Sequence, residues 1–222
     1  MCGVASAQTV QTVRGPVEVD ELGTTLMHEH VFVLTADVMQ NYGHEWWDEE
    51  ERVADAITKL RALKDAGVDT LVDCTVVGLG RYIPRVARIN AEVDLHIVAA
   101  TGYYTYDELP PFFQVRGGPG TLLGGPELLT EMFVRDITEG IGGTGIRAAF
   151  LKCRRGEGYT PDQTRVHRAI CDAHRQTGVP ITVHTMPRTR PGGWRWSCMP
   201  RRVSTRPRWS SGMPGTATIW TT

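Results

Sequence analysis

Residues 25–33 read TLMHEHVFV and place two histidines one residue apart inside an apolar run. In a strand, residues i and i+2 face the same way, so His28 and His30 project side by side, roughly 7 Å apart at the backbone. Two neutral imidazoles so placed can bind one metal ion. A pair of core or interface histidines held by hydrogen bonds fits the same spacing, because HxH is a short pattern. The stretch also bears on architecture. A doubly wound sheet puts a Gly-rich turn after its first strand, and none follows His28-Glu29-His30.

Working outward, strands and helices alternate. A short hairpin around Gly15-Pro16 precedes the first strand, over 24–34. Residues 48–66 carry Val53, Ala56, Ile57, Leu60 and Leu63 at helical spacing, with acids crowding the first turn and Gly67 ending the helix. VDTLVDCTVV (68–77) is a β-branched run suited to a buried strand. A helix over 83–90, a third strand over 95–104, a helix over 127–140 and a fourth strand over 145–153 follow. A helix over 160–177, opened by Thr160-Pro161-Asp162, leads to a fifth strand over 179–185. Strands alternating with helices predict βαβ units and a parallel sheet. Five such steps fit a partial (β/α)8 TIM barrel with strands one to five present, since a full barrel takes about 250 residues.

The 222 residues, 41% hydrophobic, have the balance of an ordinary globular protein, and their net charge of −1 conceals a split. Residues 1–186 hold 17 Lys and Arg against all 25 Asp and Glu, while 187–222 hold seven arginines, no acid, and four of the six tryptophans. That tail has neither a helical nor a strand period. The division is therefore 1–186 as the barrel portion and 187–222 as an irregular basic tail, whose Arg, Pro, Trp, Ser and Gly content is that of GC-rich coding DNA read out of frame. A genuine nucleic-acid-binding tail is the alternative, but no RNA-binding motif organises it. No apolar run reaches the length of a membrane span, and no secretory signal opens the chain. Five scattered cysteines without a C-x-x-C predict reduced thiols and a cytoplasmic setting.

Polar residues fall late in the strands, where an α/β barrel puts its site. Lys152 shares a strand face with Ala148 and Phe150, and His184 shares one with Thr182. A lysine buried in an apolar strand is expensive unless neutralised or paired; snorkelling to a barrel mouth is the plain alternative for Lys152, and a hydrogen-bonded core position is the plain one for His184. Five segments then fall in order: GTTLMHEHVF, GVDTLVDCTVVGLGR, ATGYYTYDELP, GIRAAFLKC and GVPITVHT. Over about residues 10–185 the chain resembles the phosphotriesterase family of the amidohydrolase superfamily, in its lactonase-like branch. The resemblance implies that His28 and His30 bind the more buried of two divalent metals, that Lys152 is carboxylated and bridges both, and that His184 binds the second. Zinc is the first expectation, with cobalt, iron or manganese as alternatives. The implied reaction is attack of a metal-bound hydroxide on a lactone carbonyl or an organophosphate triester.

Tyr104 occupies the loop after strand three, where the lactonase-like branch carries a tyrosine near the metals, and this favours lactones over triesters; Tyr106 reads as loop packing. Gly78-Leu79-Gly80 is a lone GxG and reads as a βα turn rather than a phosphate loop. His44, His96, His167 and His174 read as structural or surface residues. The family pattern continues with a strand-six histidine and a strand-eight aspartate that takes the proton, and after His184 these residues contain neither a histidine nor an aspartate. The expectation is a chain truncated or frameshifted after about residue 185 and catalytically incomplete, with a non-catalytic barrel fragment as the alternative; a metal-dependent nuclease barrel, which also begins with HxH, is disfavoured by the lysine. The expected partners are a lactone or organophosphate small molecule, no nucleic acid and no membrane, with a homodimer for the full-length relative.

Overall fold

The computed structural model describes residues 8–105, 107–155 and 160–185. The expectations for Tyr106 and for the 187–222 tail lie outside them. Strands β1 (Thr9–Thr12) and β2 (Gly15–Glu18) form the antiparallel hairpin. Five further strands, β3 (Thr25–Glu29), β4 (Thr70–Asp73), β5 (His96–Tyr103), β6 (Phe150–Arg155) and β7 (Ile181–Thr185), form one sheet in the order β3-β4-β5-β6-β7. Each strand lies beside its neighbour in sequence, and the helices α1 (Ala36–Trp46), α2 (Glu49–Asp65), α3 (Ile83–Ala91), α4 (Pro111–Val115), α5 (Leu128–Thr138) and α6 (Pro161–Thr177) fall between them. This is the α/β architecture of a partial (β/α)8 barrel. No helix among the described residues is long and apolar enough to cross a membrane.

The chain divides into two compact units, and β5 contributes to both. Among the described residues the first unit takes in 8–75, 79–100 and 139–149. Here β3 pairs with β4 and β4 with β5, all parallel. Helix α2 begins where the Asp48 carboxylate accepts the Glu51 N–H at 2.9 Å, with three glutamates in the first turn; a cap of this kind stabilises by about 1 kcal/mol. Its buried stripe is Val53, Ala56 and Leu60. Arg85 on α3 donates to Glu49 at 2.7 Å and lies over the rings of Phe32, Trp47 and Tyr82, which ties α3 to the start of α2.

Among the described residues the second unit takes in 76–78, 101–105, 107–138, 150–155 and 160–185. Its core packs Leu129 and Phe133 of α5 and Val166 and Ile170 of α6 with Leu151 and Ile181 of the strands. Burying each such side chain fully stabilises by about 1.5–3 kcal/mol. Thr160 caps α6 by accepting the Gln163 N–H at 3.1 Å, Pro161 takes the first helical position, and Gly178 at φ 74 ends it. Gly102 shows why one β5 position has no side chain: a Cβ there would lie 1.8 Å from the Lys152 carbonyl oxygen.

Several boundaries differ from the sequence reading. Strand β3 stops at Glu29 rather than at 34, and the Leu34 N–H bonds instead to the Leu79 carbonyl. Strand β4 stops at Asp73, whose side chain takes the Thr75 N–H. Strand β6 starts at Phe150, so Lys152 is its third residue rather than a penultimate one. Helices α1 and α4 had no counterpart in the reading. The lone GxG proves to be a place of close backbone approach, since a Cβ on Gly78 would meet the Tyr104 carbonyl oxygen at 2.1 Å. Cys74 and Cys153 are buried thiols, as expected for reduced cysteines.

Candidate functional site

His28 is the penultimate residue of β3, and His30 lies one residue past its end. The pairing of β3 with β4 shifts register between Leu26 and Glu29, so the strict strand alternation that would align the two histidines does not hold. The rings nevertheless meet, with centroids 5.6 Å apart and planes at 71°. The ladder continues past the strand as Cys74 N–H donates to the Glu29 carbonyl at 2.9 Å. This fixes the start of the following segment, where Asp73 and Thr75 are both buried. His30 Nδ1 lies 2.9 Å from the Thr75 hydroxyl, which lies 2.5 Å from Asp73 Oδ1. Burial pushes the Asp73 carboxyl up to about 6, against the pull of the Thr75 hydroxyl and of the Thr75 and Val31 N–H groups.

In the second unit, Lys152 is 1% exposed. The parallel register sets Lys152 opposite Thr182 and Arg154 opposite His184. The Tyr104 ring meets the His184 ring edge-on at 5.5 Å, and the Arg154 guanidinium lies 5.8 Å from the centre of the same tyrosine. Burial first, then the charges of Lys152 and Arg154, hold the His184 imidazole below its ordinary value, favouring the neutral ring that a metal needs. Next to Lys152, burial pushes the Cys153 thiol up to about 12, so it is no nucleophile. His167 bonds the Arg154 carbonyl at 2.9 Å and His174 the Val179 carbonyl at 2.8 Å, consistent with structural roles.

The structure therefore brings His28 to His30, and brings Tyr104 to His184 on a strand paired with that of Lys152. The donors suit divalent metal ions: two adjoining imidazoles in one unit, and in the other a neutral imidazole with a buried lysine. Among the described residues no three of His, Cys, Asp and Glu gather as a metal cluster. Sequence reasoning missed Asp73, Thr75 and Arg154. The first two carried a usable signal, as an acid and a hydroxyl inside the apolar run LVDCTVV. Arg154 carried one too, two residues after Lys152 and therefore on its strand face.

A family model described as the phosphotriesterase family matches residues 8–193. A "phosphotriesterase homology protein" of Mycobacterium tuberculosis is 55% identical over 177 residues, covering 79% of this chain and 54% of that protein. An "aryldialkylphosphatase" of Saccharolobus solfataricus is 35% identical over 170 residues, covering 76% of this chain and 51% of that one. A solved structure of the phosphotriesterase from Mycobacterium tuberculosis superposes with a TM-score of 0.76 at 54% identity, over 80% of this chain and 55% of that one. The chain spans about half the length of these relatives. It belongs to the phosphotriesterase family.

Proposed function

We propose that this member of the phosphotriesterase family is a hydrolase built around two divalent metal ions, held by His28, His30, Lys152 and His184, with lactones preferred over organophosphate triesters. The observation that carries the proposal is Lys152, a lysine buried at the third position of β6 on a strand paired with that of His184. A neutral lysine amine adds to carbon dioxide, forming an N–C bond and releasing one proton. The resulting carbamate is an anion with two oxygens and would offer oxygen ligands to the divalent metals when they are bound. His28 and His30 would supply two ring nitrogens, and His184, whose imidazole burial holds below its ordinary value, a third. When bound, the metal pair supplies a Lewis acid for the carbonyl or phosphoryl oxygen and lowers the pKa of water. Tyr104, in ring contact with His184, offers a phenol to the substrate. Zinc is the first candidate metal, ahead of cobalt, iron and manganese.

These 222 residues contain no histidine, aspartate or glutamate after His184. By themselves they provide no proton acceptor equivalent to the family's strand-eight aspartate, and we infer that they bind fewer than two metals per chain and do not turn over. The test has two arms. The 222-residue chain, purified with zinc, is analysed for metal content and assayed on a lactone and a phosphotriester. A chimera of residues 1–185 with the remaining half of the Mycobacterium tuberculosis relative is treated identically. The expectation is less than two metals and no turnover for the first, and two metals with kcat/KM higher for the lactone for the second. Turnover by the 222 residues alone, or a chimera preferring the triester, would count against the reading.

A further inference from the structure

The hydrogen-bonded line at the end of β4 determines which nitrogen of His30 can serve a metal. Asp73 Oδ1 receives the Thr75 N–H at 2.9 Å and the Thr75 hydroxyl at 2.5 Å. The Val31 N–H reaches the same carboxylate. A backbone N–H can only donate, so the Oδ1 that takes it is an acceptor, and the Thr75 hydroxyl donates to that same oxygen. Thr75 has a single hydroxyl proton, and its closest acceptor is Asp73; the alternative acceptor, the Phe32 carbonyl, lies at 3.3 Å. With that proton committed, the Thr75 oxygen can only accept at its 2.9 Å contact with His30 Nδ1. The imidazole must then donate from Nδ1, which leaves its lone pair on Nε2. Asp73 cannot do this directly, because it lies 4.0 Å from Nδ1.

We propose that Thr75, backed by Asp73, is a positioning residue that holds His30 in its Nδ1–H tautomer and so makes Nε2 the metal-ligating nitrogen. This rests on the reading of His30 as a ligand. Threonine suits the task because its branched Cβ restricts χ1, so the hydroxyl is aimed by the backbone that carries it. Partners of this outer kind orient a ligand ring and raise its basicity, and their removal weakens metal binding by about 10–100-fold.

The test is long-range proton–nitrogen NMR on the full chain labelled with 15N-histidine and stripped of metal, together with zinc titration of the same samples. Wild type should show His30 as the Nδ1–H tautomer. Thr75→Val, close in shape but without the hydroxyl, should shift His30 toward Nε2–H and weaken zinc binding by about 10–100-fold. Thr75→Ser, which keeps the hydroxyl and sheds only a methyl group, should retain both properties. A wild-type His30 that is mainly Nε2–H overturns the proposal, and so does a Thr75→Val protein with tautomer and zinc affinity unchanged. Zinc affinity indifferent to His30→Ala would instead overturn the reading of His30 as a ligand, and the tautomer result would show which of the two had failed.

Discussion

The two groups of candidate ligands stand in opposite electrostatic settings. Beyond β3 and β4, an imidazole, a hydroxyl and a carboxylate alternate as donor and acceptor, and the Asp73 carboxylate lies 4.0 Å from His30 Nδ1. On β6 and β7 the charges acting on His184 are the cations of Lys152 and Arg154. A histidine needs only the correct tautomer to bind a metal, and its own neighbours can supply that. A lysine must first change from cation to anion, which its neighbours cannot supply and dissolved carbon dioxide can. The two groups should therefore fail under different perturbations.

The largest effect is expected at Lys152. Lys152→Ala, in the chimera carrying the relative's second half, should weaken metal retention by more than the about 10–100-fold typical of losing an outer partner. A short carboxylic acid added to the buffer should restore part of it. Undiminished metal content by elemental analysis would remove Lys152 from the site. On the histidine side, the same acid should do nothing for a Thr75→Val protein.

Next in size is the backbone that seats β5 beside Lys152. Gly102→Ala forces a Cβ against the Lys152 carbonyl at a φ of 141 and should cost about 3 kcal/mol or more in urea unfolding. Gly67→Ala, also at positive φ (90) but with open space around it, should cost only about 1–2 kcal/mol. Equal losses would mean that strain, not close approach, sets the requirement at Gly102. On the histidine side, Asp73→Ala should cost about 1–3 kcal/mol, because it strips a buried acceptor from the Thr75 and Val31 donors.

The smallest effect is a pH slope. His167 is buried and its imidazole is held below the ordinary value by that burial, which outweighs the bond to the Arg154 carbonyl. The unfolded chain therefore binds a proton that the folded chain refuses in the window just below about 6.5. This contribution is fully present above that value and is lost as pH falls. His167→Gln should flatten the decline in urea midpoint between neutral and mildly acid pH relative to wild type; an unchanged decline would assign it to other groups.

The barrel architecture was legible because parallel strands buried on both faces announce themselves, as TLVD and HIVAATGY do here. Helix α2 was legible for the complementary reason, an acidic first turn before a buried stripe. Helix α1 was not, although Val38, Tyr42 and Trp46 recur at helical spacing. All three face outward, at 37, 50 and 64% exposure, and Tyr42 stacks on Trp46 at 4.9 Å instead of on a core. Helical periodicity without burial carries little weight in a sequence that also holds Gly43 and Asn41. Among the candidate residues, His28, His30, Lys152 and His184 stood out as polar residues in apolar strands. Thr75 and Asp73 matter only through each other, and pairing of that kind depends on where β4 ends, a boundary set by Asp73 itself.

The order of the five-stranded sheet has a consequence for how the chain reaches its fold. Thr25 pairs with Thr70, Thr70 with His96, and Leu151 with Ile181, so each new strand finds its neighbour among residues made shortly before it. Closing loops of that modest length costs little extra entropy. A ribosome releasing this polypeptide would let the sheet grow one strand at a time in the direction of synthesis. Lys152 and His184, on β6 and β7, would then be the last of the candidate ligands to be made.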